Sequence, residues 1–172
     1  GRKALARIPD KGDLLSELAQ RLIPGGRLSV AESVVKHSQR LYDLVDLSKL
    51  GDDLRQRIVE AEEQIYADES DPLVNWDVTD LQNGLAAAGF EGISVREQTE
   101  ETEVLVSPGT LERWFSIGKS RERPSYAEHL LRRITAEELG QIEALFKGQL
   151  ANKTVPWQNQ VVFASGQTPD RD

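Results

Sequence analysis

A Pro24-Gly25-Gly26 step separates a helical pattern from a strand pattern near the start of the chain. Apolar side chains recur every three or four positions over 13–23, and Asp13 can accept backbone N–H bonds as the N-cap, which predicts a helix. Proline cannot continue this helix and glycine tolerates positive φ, so the helix has to stop at the step. Residues 27–31 then alternate polar and apolar side chains, which predicts a short strand. The chain is therefore expected to alternate helices with strands in an α/β fold.

Further elements follow at intervals typical of layered α/β domains. We predict helices over 34–50, 53–65, 78–88, 108–115, 125–133 and 136–150, and strands over 93–98, 103–106 and 158–164. The segment 103–106 is either a separate strand or a continuation of 93–98. The resulting sheet has three or four strands, with helical insertions between residues 33–66 and 107–150.

Helix boundaries in the middle of the chain carry recognisable signals. They are a cap at Asp77 or Thr79, a glycine stop at Gly89, the cap and first-turn proline of Ser107-Pro108, and a capping box from Thr135 to Glu138.

The charge balance and the missing cysteines exclude several function classes. With 21 Lys+Arg against 29 Asp+Glu the net charge is -8, so nucleic-acid binding by this chain alone is not expected. The one positive cluster, Lys119–Arg123, is interpreted as a solvated loop. Without cysteine there are no disulfides or thiolate zinc sites, and two distant histidines, His37 and His129, do not predict a metal site. No apolar run reaches the roughly 18 residues of a membrane span, and we expect a cytoplasmic protein.

Three segments, taken in order, resemble class I S-adenosylmethionine-dependent methyltransferases. The run Leu18–Glu32 resembles the family's step from the fourth crossover helix through Pro-Gly-Gly into the fifth strand. Asp80–Phe90 resembles the later helix that leads into the sixth strand, and Trp157–Ala164 fits the antiparallel seventh strand. The resemblance implies a partial Rossmann-like methyltransferase fold with a small mixed sheet whose last strand is antiparallel. Residues 1–164 would be the C-terminal half of such a domain and 165–172 a flexible tail.

Other segments resemble a narrower family. Gln39–Leu47, Val74–Asp77 and Arg123–Glu128 resemble the methyltransferase-like extension fused behind a replication-associated recombination AAA+ ATPase in some photosynthetic bacteria. This resemblance implies that the partners are the remainder of the same polypeptide, namely the N-terminal half of the fold and an AAA+ ATPase. Because a sheet without its other half exposes an apolar edge, a homodimer is also expected.

The cofactor motif of the methyltransferase family is absent from this chain. No predicted strand is followed by a glycine-rich loop that opens a helix, and Gly25-Gly26 precedes a strand instead. We therefore expect S-adenosylmethionine to bind only in a full-length parent. The sequence predicts the acceptor-side half of a methyltransferase-like domain, inactive alone. The alternative is a non-catalytic interaction module appended to an AAA+ ATPase that acts in DNA replication or recombination.

Five residues are candidates for contacting a substrate. Glu32 and Ser33 follow the end of a strand, where ligands collect in open α/β sheets, although Ser33 can equally cap the next helix. His37 and Arg40 lie one turn further on, and a histidine acting as a base would need a carboxylate partner. Trp76 either lines the pocket or packs on Leu81 as a hydrophobic staple, which is the interpretation we favour.

Overall fold

The computed structural model describes residues 1–118 and 123–170. The basic cluster Lys119–Arg123 lies outside the described residues except for Arg123. The chain divides into two compact units. Unit 1 contains residues 1–38, 66–100 and those from 158 onward, and unit 2 contains residues 39–65 and 101–157. Unit 2 thus takes up most of the two helical insertions expected from the sequence.

Groups of helices separate the three strands along the described residues. The α-helices are α1 (Lys11–Arg21), α2 (Asp52–Tyr66), α3 (Val78–Ala87), α4 (Pro108–Phe115), α5 (Tyr126–Leu130) and α6 (Ala136–Leu150). The strands are β1 (Arg27–Ser33), β2 (Glu91–Val106) and β3 (Lys153–Gln167), and short 3-10 turns cover Val35–His37 and Tyr42–Leu44.

The three strands form one antiparallel sheet with the order β1-β3-β2. β3 runs antiparallel to β1, from the pair Arg27 and Gln167 to the pair Ser33 and Val161. On the other edge of β1, Arg2 forms a parallel bridge with Ala31. The α/β class, the small sheet and the antiparallel last strand are confirmed. The prediction of a mixed sheet is wrong, because β1, β2 and β3 form an antiparallel sheet. Among the described residues, parallel pairing is limited to the isolated bridge between Arg2 and Ala31.

The sequence underestimated the length of the strands. β2 is continuous from Glu91 to Val106, so the continuation was the correct alternative for 103–106. β3 begins before Gln158 and runs past Ala164 to Gln167, which corrects the predicted start of the flexible tail at 165. Thr168 follows the strand and is held as well, since its Oγ1 donates to the Ile23 oxygen at 2.8 Å.

The predicted helix over 34–50 is wrong. The Val34 N–H donates to the Gln160 oxygen at 2.8 Å and so extends the pairing of β1 instead of starting a helix. Further on, the N–H groups of Leu41 and Tyr42 donate to the Glu62 carboxylate at 2.5 and 3.1 Å. Because these donors are taken by a distant side chain, only isolated 3-10 turns form here.

Most predicted helix boundaries are confirmed, with one correction. Asp77, Ser107 and Thr135 cap α3, α4 and α6, and the caps of α3 and α6 are capping boxes. Asp10 rather than Asp13 caps α1, since the Asp10 side chain accepts from the Asp13 N–H at 2.8 Å and the helix begins at Lys11.

Gly89 ends α3 as the sequence predicted. Its φ is +85°, and its N–H donates to the Ala86 oxygen while the Phe90 N–H reaches back to the Leu85 oxygen. This pair of bonds is a Schellman motif, and it places Phe90 in the core of unit 1 at the start of β2.

Each unit has its own apolar core. The buried core of unit 1 contains Leu5, Leu15, Val30, Val34, Trp76, Leu81, Leu85, Phe90, Val162 and Ala164. In unit 2 the core centres on α2, α4, α5 and α6, and the fully buried Ile58, Ile142 and Phe146 belong to it.

We expect Gly166→Ala to destabilise the protein by about 1–3 kcal/mol, the usual cost of overpacking. A Cβ at this position would lie 2.9 Å from the Phe90 Cβ, and β3 and Phe90 are both held in place by the sheet and the core. Gly148→Ala is the matched control, because its Cβ meets nothing within 4 Å and alanine favours the helix by about 0.5–1 kcal/mol. Urea unfolding of both variants measures the difference, and equal midpoints would contradict the close approach of Phe90 to Gly166.

Candidate functional site

Glu32 is a fully buried carboxylate near the end of β1. Its exposed fraction is 0% and it pairs with Val162 across the sheet. Oε1 accepts a hydrogen bond from the Ala4 N–H at 2.7 Å. Oε2 is buried without a hydrogen-bond partner among the described residues. Burying a carboxylate is costly unless its oxygens are paired, so Glu32 is an unusual group for a purely structural position.

Lys11, the first residue of α1, interacts electrostatically with Glu32. Its Nζ donates to the Ile8 oxygen at 3.0 Å and to the Pro72 oxygen at 2.8 Å. Desolvation lowers the pKa of Lys11, and Glu32 is the first of three carboxylates that oppose this shift. Lys11 therefore holds the segment before α1 to the turn that precedes Trp76.

Trp76 is buried and occupies the position of a hydrophobic staple residue before α3. It is 4% exposed, directly precedes the cap Asp77, and shares the unit 1 core with Leu81 four residues into α3. The staple interpretation is thus supported. The Lys11 Nζ lies 5.5 Å from the centre of the indole ring, which places a cation over the aromatic face. The indole Nε1 is buried and has no hydrogen-bond partner in the described part of the chain.

A cleft of about 250 Å³ lies between the first turns of α1 and α3. Its wall includes Pro9, Lys11, Leu15, Asn75, Trp76 and Asp80. The cleft therefore combines one cation, one carboxylate, one amide and an apolar floor. Small polar molecules fit such a lining. Because three carboxylates already surround Lys11, an anionic ligand is disfavoured.

The other predicted site residues are distributed between the two units. Ser33 is the last residue of β1, half-buried and paired with Val161, so it does not cap a helix. His37 is exposed at the end of the first 3-10 turn in unit 1. Arg40 belongs to unit 2, where its Nε donates to Glu63 Oε1 at 2.7 Å. Glu32, Ser33, His37 and Trp76 therefore all lie in unit 1. Lys11 interacts with two of them, electrostatically with Glu32 and over the ring of Trp76.

A second buried carboxylate, Glu62, lies in unit 2 on the inner face of α2. Its exposed fraction is 0%. It accepts from the Leu41 N–H at 2.5 Å, from the Tyr42 N–H at 3.1 Å and from the Tyr126 hydroxyl at 2.8 Å. Burial raises the pKa of Glu62 to about 7, although these donors and the Arg40 charge act in the opposite direction.

Neighbouring Glu63 has the opposite electrostatic character. Its carboxylate accepts from Arg40 Nε at 2.7 Å and from the Tyr42 hydroxyl at 2.8 Å. The Arg40 hydrogen bond lowers the pKa of Glu63, while burial and the bond to Glu63 raise the pKa of Tyr42 above its ordinary range. Adjacent glutamates on one helix thus have pKa values that are displaced in opposite directions.

Sequence reasoning missed Lys11 and Glu62. Glu62 carried a usable signal, because it lies eight residues after Leu54 and four after Ile58, on the apolar stripe of α2. A charged residue on such a stripe requires partners inside the fold. Lys11 carried no comparable signal, since its acceptors are backbone oxygens that only the folded chain brings together.

Residues 1–118 and 123–170 contain neither a candidate membrane-spanning helix nor a candidate metal site. No helix there is long and apolar enough to cross a membrane. No group of three or more His, Cys, Asp or Glu residues there could hold a metal ion.

Comparison with known proteins gives a coarse likeness to methyltransferases. No protein-family model and no curated protein match the chain. Phosphoethanolamine N-methyltransferase 2 of Haemonchus contortus, in complex with phosphomonomethylethanolamine and S-adenosylhomocysteine, is 18% identical with a TM-score of 0.40 over 98% of this chain and 32% of that one. The same enzyme with S-adenosyl-L-methionine gives 15% identity and a TM-score of 0.40, again over 98% and 32%. A candidate methyltransferase of Bacillus halodurans C-125 gives 14% and 0.44, over 98% of this chain and 67% of that one.

The chain therefore spans about a third of the nematode enzyme's length. The likeness to these structures is coarse and concerns the fold alone. It gives no support to the resemblance to an ATPase-associated extension.

We expect Lys11→Met to destabilise the protein by about 1–3 kcal/mol, because two backbone oxygens lose a charged donor while the side-chain length is kept. Lys49→Met, at an exposed lysine, is the control and should change stability by less than about 0.5 kcal/mol. Urea unfolding followed by tryptophan fluorescence measures both variants. Equal stability of Lys11→Met and the parent would show that the Lys11 bonds do not hold the two segments together.

Proposed function

We propose that this chain is the acceptor-side half of an S-adenosylmethionine-dependent methyltransferase-like domain and does not bind the methyl donor alone. The observation that carries the proposal is the parallel pairing on the outer edge of β1. The Lys3 N–H donates to the Ala31 oxygen and the Ala31 N–H donates to the Gly1 oxygen, both at 2.9 Å. A preceding strand of a parallel sheet would join β1 in this way, and the methyltransferase resemblance implies such a strand before the fifth one.

We propose that the described residues do not hold S-adenosylmethionine by themselves. β1 continues into Val34 and the 3-10 turn Val35–His37, and no glycine-rich loop opens a helix there. Nucleotide-like cofactors of such folds rely on backbone N–H groups at a helix N-terminus after a strand. The donor site therefore belongs, in this proposal, to the N-terminal half of the same polypeptide, which is also the partner we propose for the open edge of β1. We place the parent protein in the cytoplasm and retain homodimerisation as a proposal.

In this proposal the chain's own contribution is to position an acceptor. The cofactor would supply the methyl group. The cleft beside Lys11 and Trp76 would bind the acceptor, and Glu32 would supply negative charge near the end of β1. Ser33 and His37 follow Glu32 on the same connection, while Arg40 is committed to Glu63 and is left out of the acceptor site.

One observation favours the alternative of a non-catalytic module appended to an AAA+ ATPase. The polar atoms that would recognise an acceptor, Glu32 Oε2 and Trp76 Nε1, are both enclosed by the core of unit 1. Atoms enclosed in this way are not accessible to a ligand, which suits a domain that acts by binding another protein. The sequence resemblance to an ATPase extension is the reason for naming that partner.

Calorimetric titration of S-adenosylmethionine tests the two proposals against each other. We expect no heat of binding with the 172-residue chain. A polypeptide extended at its N-terminus by the adjoining coding sequence should bind the cofactor, because it restores the missing donor site. Binding by the short chain would contradict the half-domain proposal. If circular dichroism shows that the extended polypeptide is folded and it still does not bind S-adenosylmethionine, the interaction module is favoured.

A further inference from the structure

We infer that Glu62 and its donors form a proton-sensitive latch: the segment 39–44 stays closed on α2 while Glu62 holds a proton and opens more readily once Glu62 is ionised. The latch consists of the Glu62 carboxyl group, the N–H groups of Leu41 and Tyr42, and the Tyr126 hydroxyl. The inference concerns unit 2 alone and does not depend on the proposed function.

Geometry places the carboxyl group of Glu62 where ionisation is unfavourable. Glu62 is fully buried beside the apolar core of unit 2, and Phe115 and Phe146 pack around the Tyr126 ring at centroid distances of 5.9 and 5.8 Å. Arg40 is the charged residue of the segment next to Glu62 and Glu63. Its Nε and Nη2 atoms donate to the two carboxylate oxygens of Glu63 at 2.7 and 3.2 Å. Among the described residues, Glu62 is therefore bound by hydrogen bonds from Leu41, Tyr42 and Tyr126, and a buried charge without a close counter-ion is costly.

Each of the two protonation states has a set of hydrogen bonds available in the closed form. Backbone N–H groups can only donate, so Leu41 and Tyr42 bond to Glu62 whether or not it is ionised. The Tyr126 hydroxyl can donate or accept, and it lies 2.8 Å from Oε2. A proton on Oε2 can thus be donated to the Tyr126 oxygen without moving the segment. The closed form therefore accommodates a neutral Glu62, whereas exposure to water in the open form favours an ionised Glu62.

The groups facing Glu62 define the direction of the pH response. α5 contributes Tyr126, the segment contributes Arg40 and Tyr42, and α2 contributes Glu63. Burial is the largest influence and raises the pKa of Glu62 to about 7 in the closed form, against an ordinary value of 4.5. Opening returns the group to water and to the ordinary value, so ionisation favours the open form between these two values.

This difference predicts a measurable change in local opening. With pKa values of 4.5 when open and about 7 when closed, the opening equilibrium should rise on the order of 70-fold between pH 5 and pH 8. The sign follows from linkage: a carboxyl group whose pKa is raised by closure stabilises the closed form below 4.5 and loses that stabilisation as the pH rises through 7.

Amide hydrogen exchange of the 172-residue chain, read by NMR between pH 5 and pH 8, tests the latch. Protection of the Leu41 and Tyr42 amides, corrected for intrinsic exchange, should fall on the order of 70-fold, and the Glu62 carboxyl carbon should titrate near pH 7. Glu62→Gln removes the titrating group and should abolish the pH dependence of Leu41 protection. Its amide oxygen can replace Oε1 as the acceptor for the Leu41 N–H, whereas an NH2 in place of Oε2 cannot accept from Tyr42, so the comparison is read at Leu41. Glu63→Gln, the matched control, removes the Arg40 pair and should leave a pH dependence of the same sign.

Tyr126→Phe gives an independent test if Glu62→Gln does not fold. The tyrosine hydroxyl lowers the pKa of Glu62, so its removal should move the titration of the Glu62 carboxyl carbon to higher pH. A Glu62 midpoint near 4.5 in the parent protein would overturn the inference. Protection that does not change with pH, or that changes equally in Glu62→Gln, would overturn it as well.

Discussion

Buried carboxylates that bind backbone N–H groups of distant segments are the constraint on which much of this structure depends. Glu62 on α2 accepts from Leu41 and Tyr42, and Glu32 on β1 accepts from Ala4. In both cases a side chain satisfies donors that regular secondary structure would otherwise have used. Each bond also connects residues more than 15 positions apart in sequence, so it shapes the tertiary fold and not only a local turn. Backbone N–H groups that donate to these carboxyl groups are not available for helical hydrogen bonds, which explains why the segment around Leu41 and Tyr42 does not continue as a helix.

The same interaction explains where sequence reasoning succeeded and where it failed. Caps at Asp77, Ser107 and Thr135 and the glycine stop at Gly89 were predictable, because their bonds join residues only a few positions apart. The segment 34–50 was not, because its amides pair with Gln160 and Glu62, which lie far away in sequence. The candidate site was predicted in part. Glu32 and Trp76 were candidates because of their positions at a strand end and a helix start, while Lys11 depends on oxygens that only folding brings together.

The two glutamates differ in the way their charge is accommodated. Glu63 is partly exposed and pairs with Arg40, so water and an ion pair both favour its ionised form. Glu62, one residue earlier, faces the core and receives three hydrogen bonds, from the N–H groups of Leu41 and Tyr42 and from the Tyr126 hydroxyl. A rotation of about 100° around one helix therefore separates a group that stays ionised from one that titrates near neutrality. In unit 1, the buried Glu32 instead interacts electrostatically with a cation, Lys11.

The long edge strand β2 has a consequence for the behaviour of the protein in solution. In the order β1-β3-β2 it has one neighbour, β3, and most of its sixteen residues are exposed. An edge of this length is a template on which a second chain can add a strand, and charged side chains along it oppose such addition. Glu97, Glu100, Glu101 and Glu103 supply that repulsion here. The acidity of the chain thus opposes the addition of a further strand along the edge of β2.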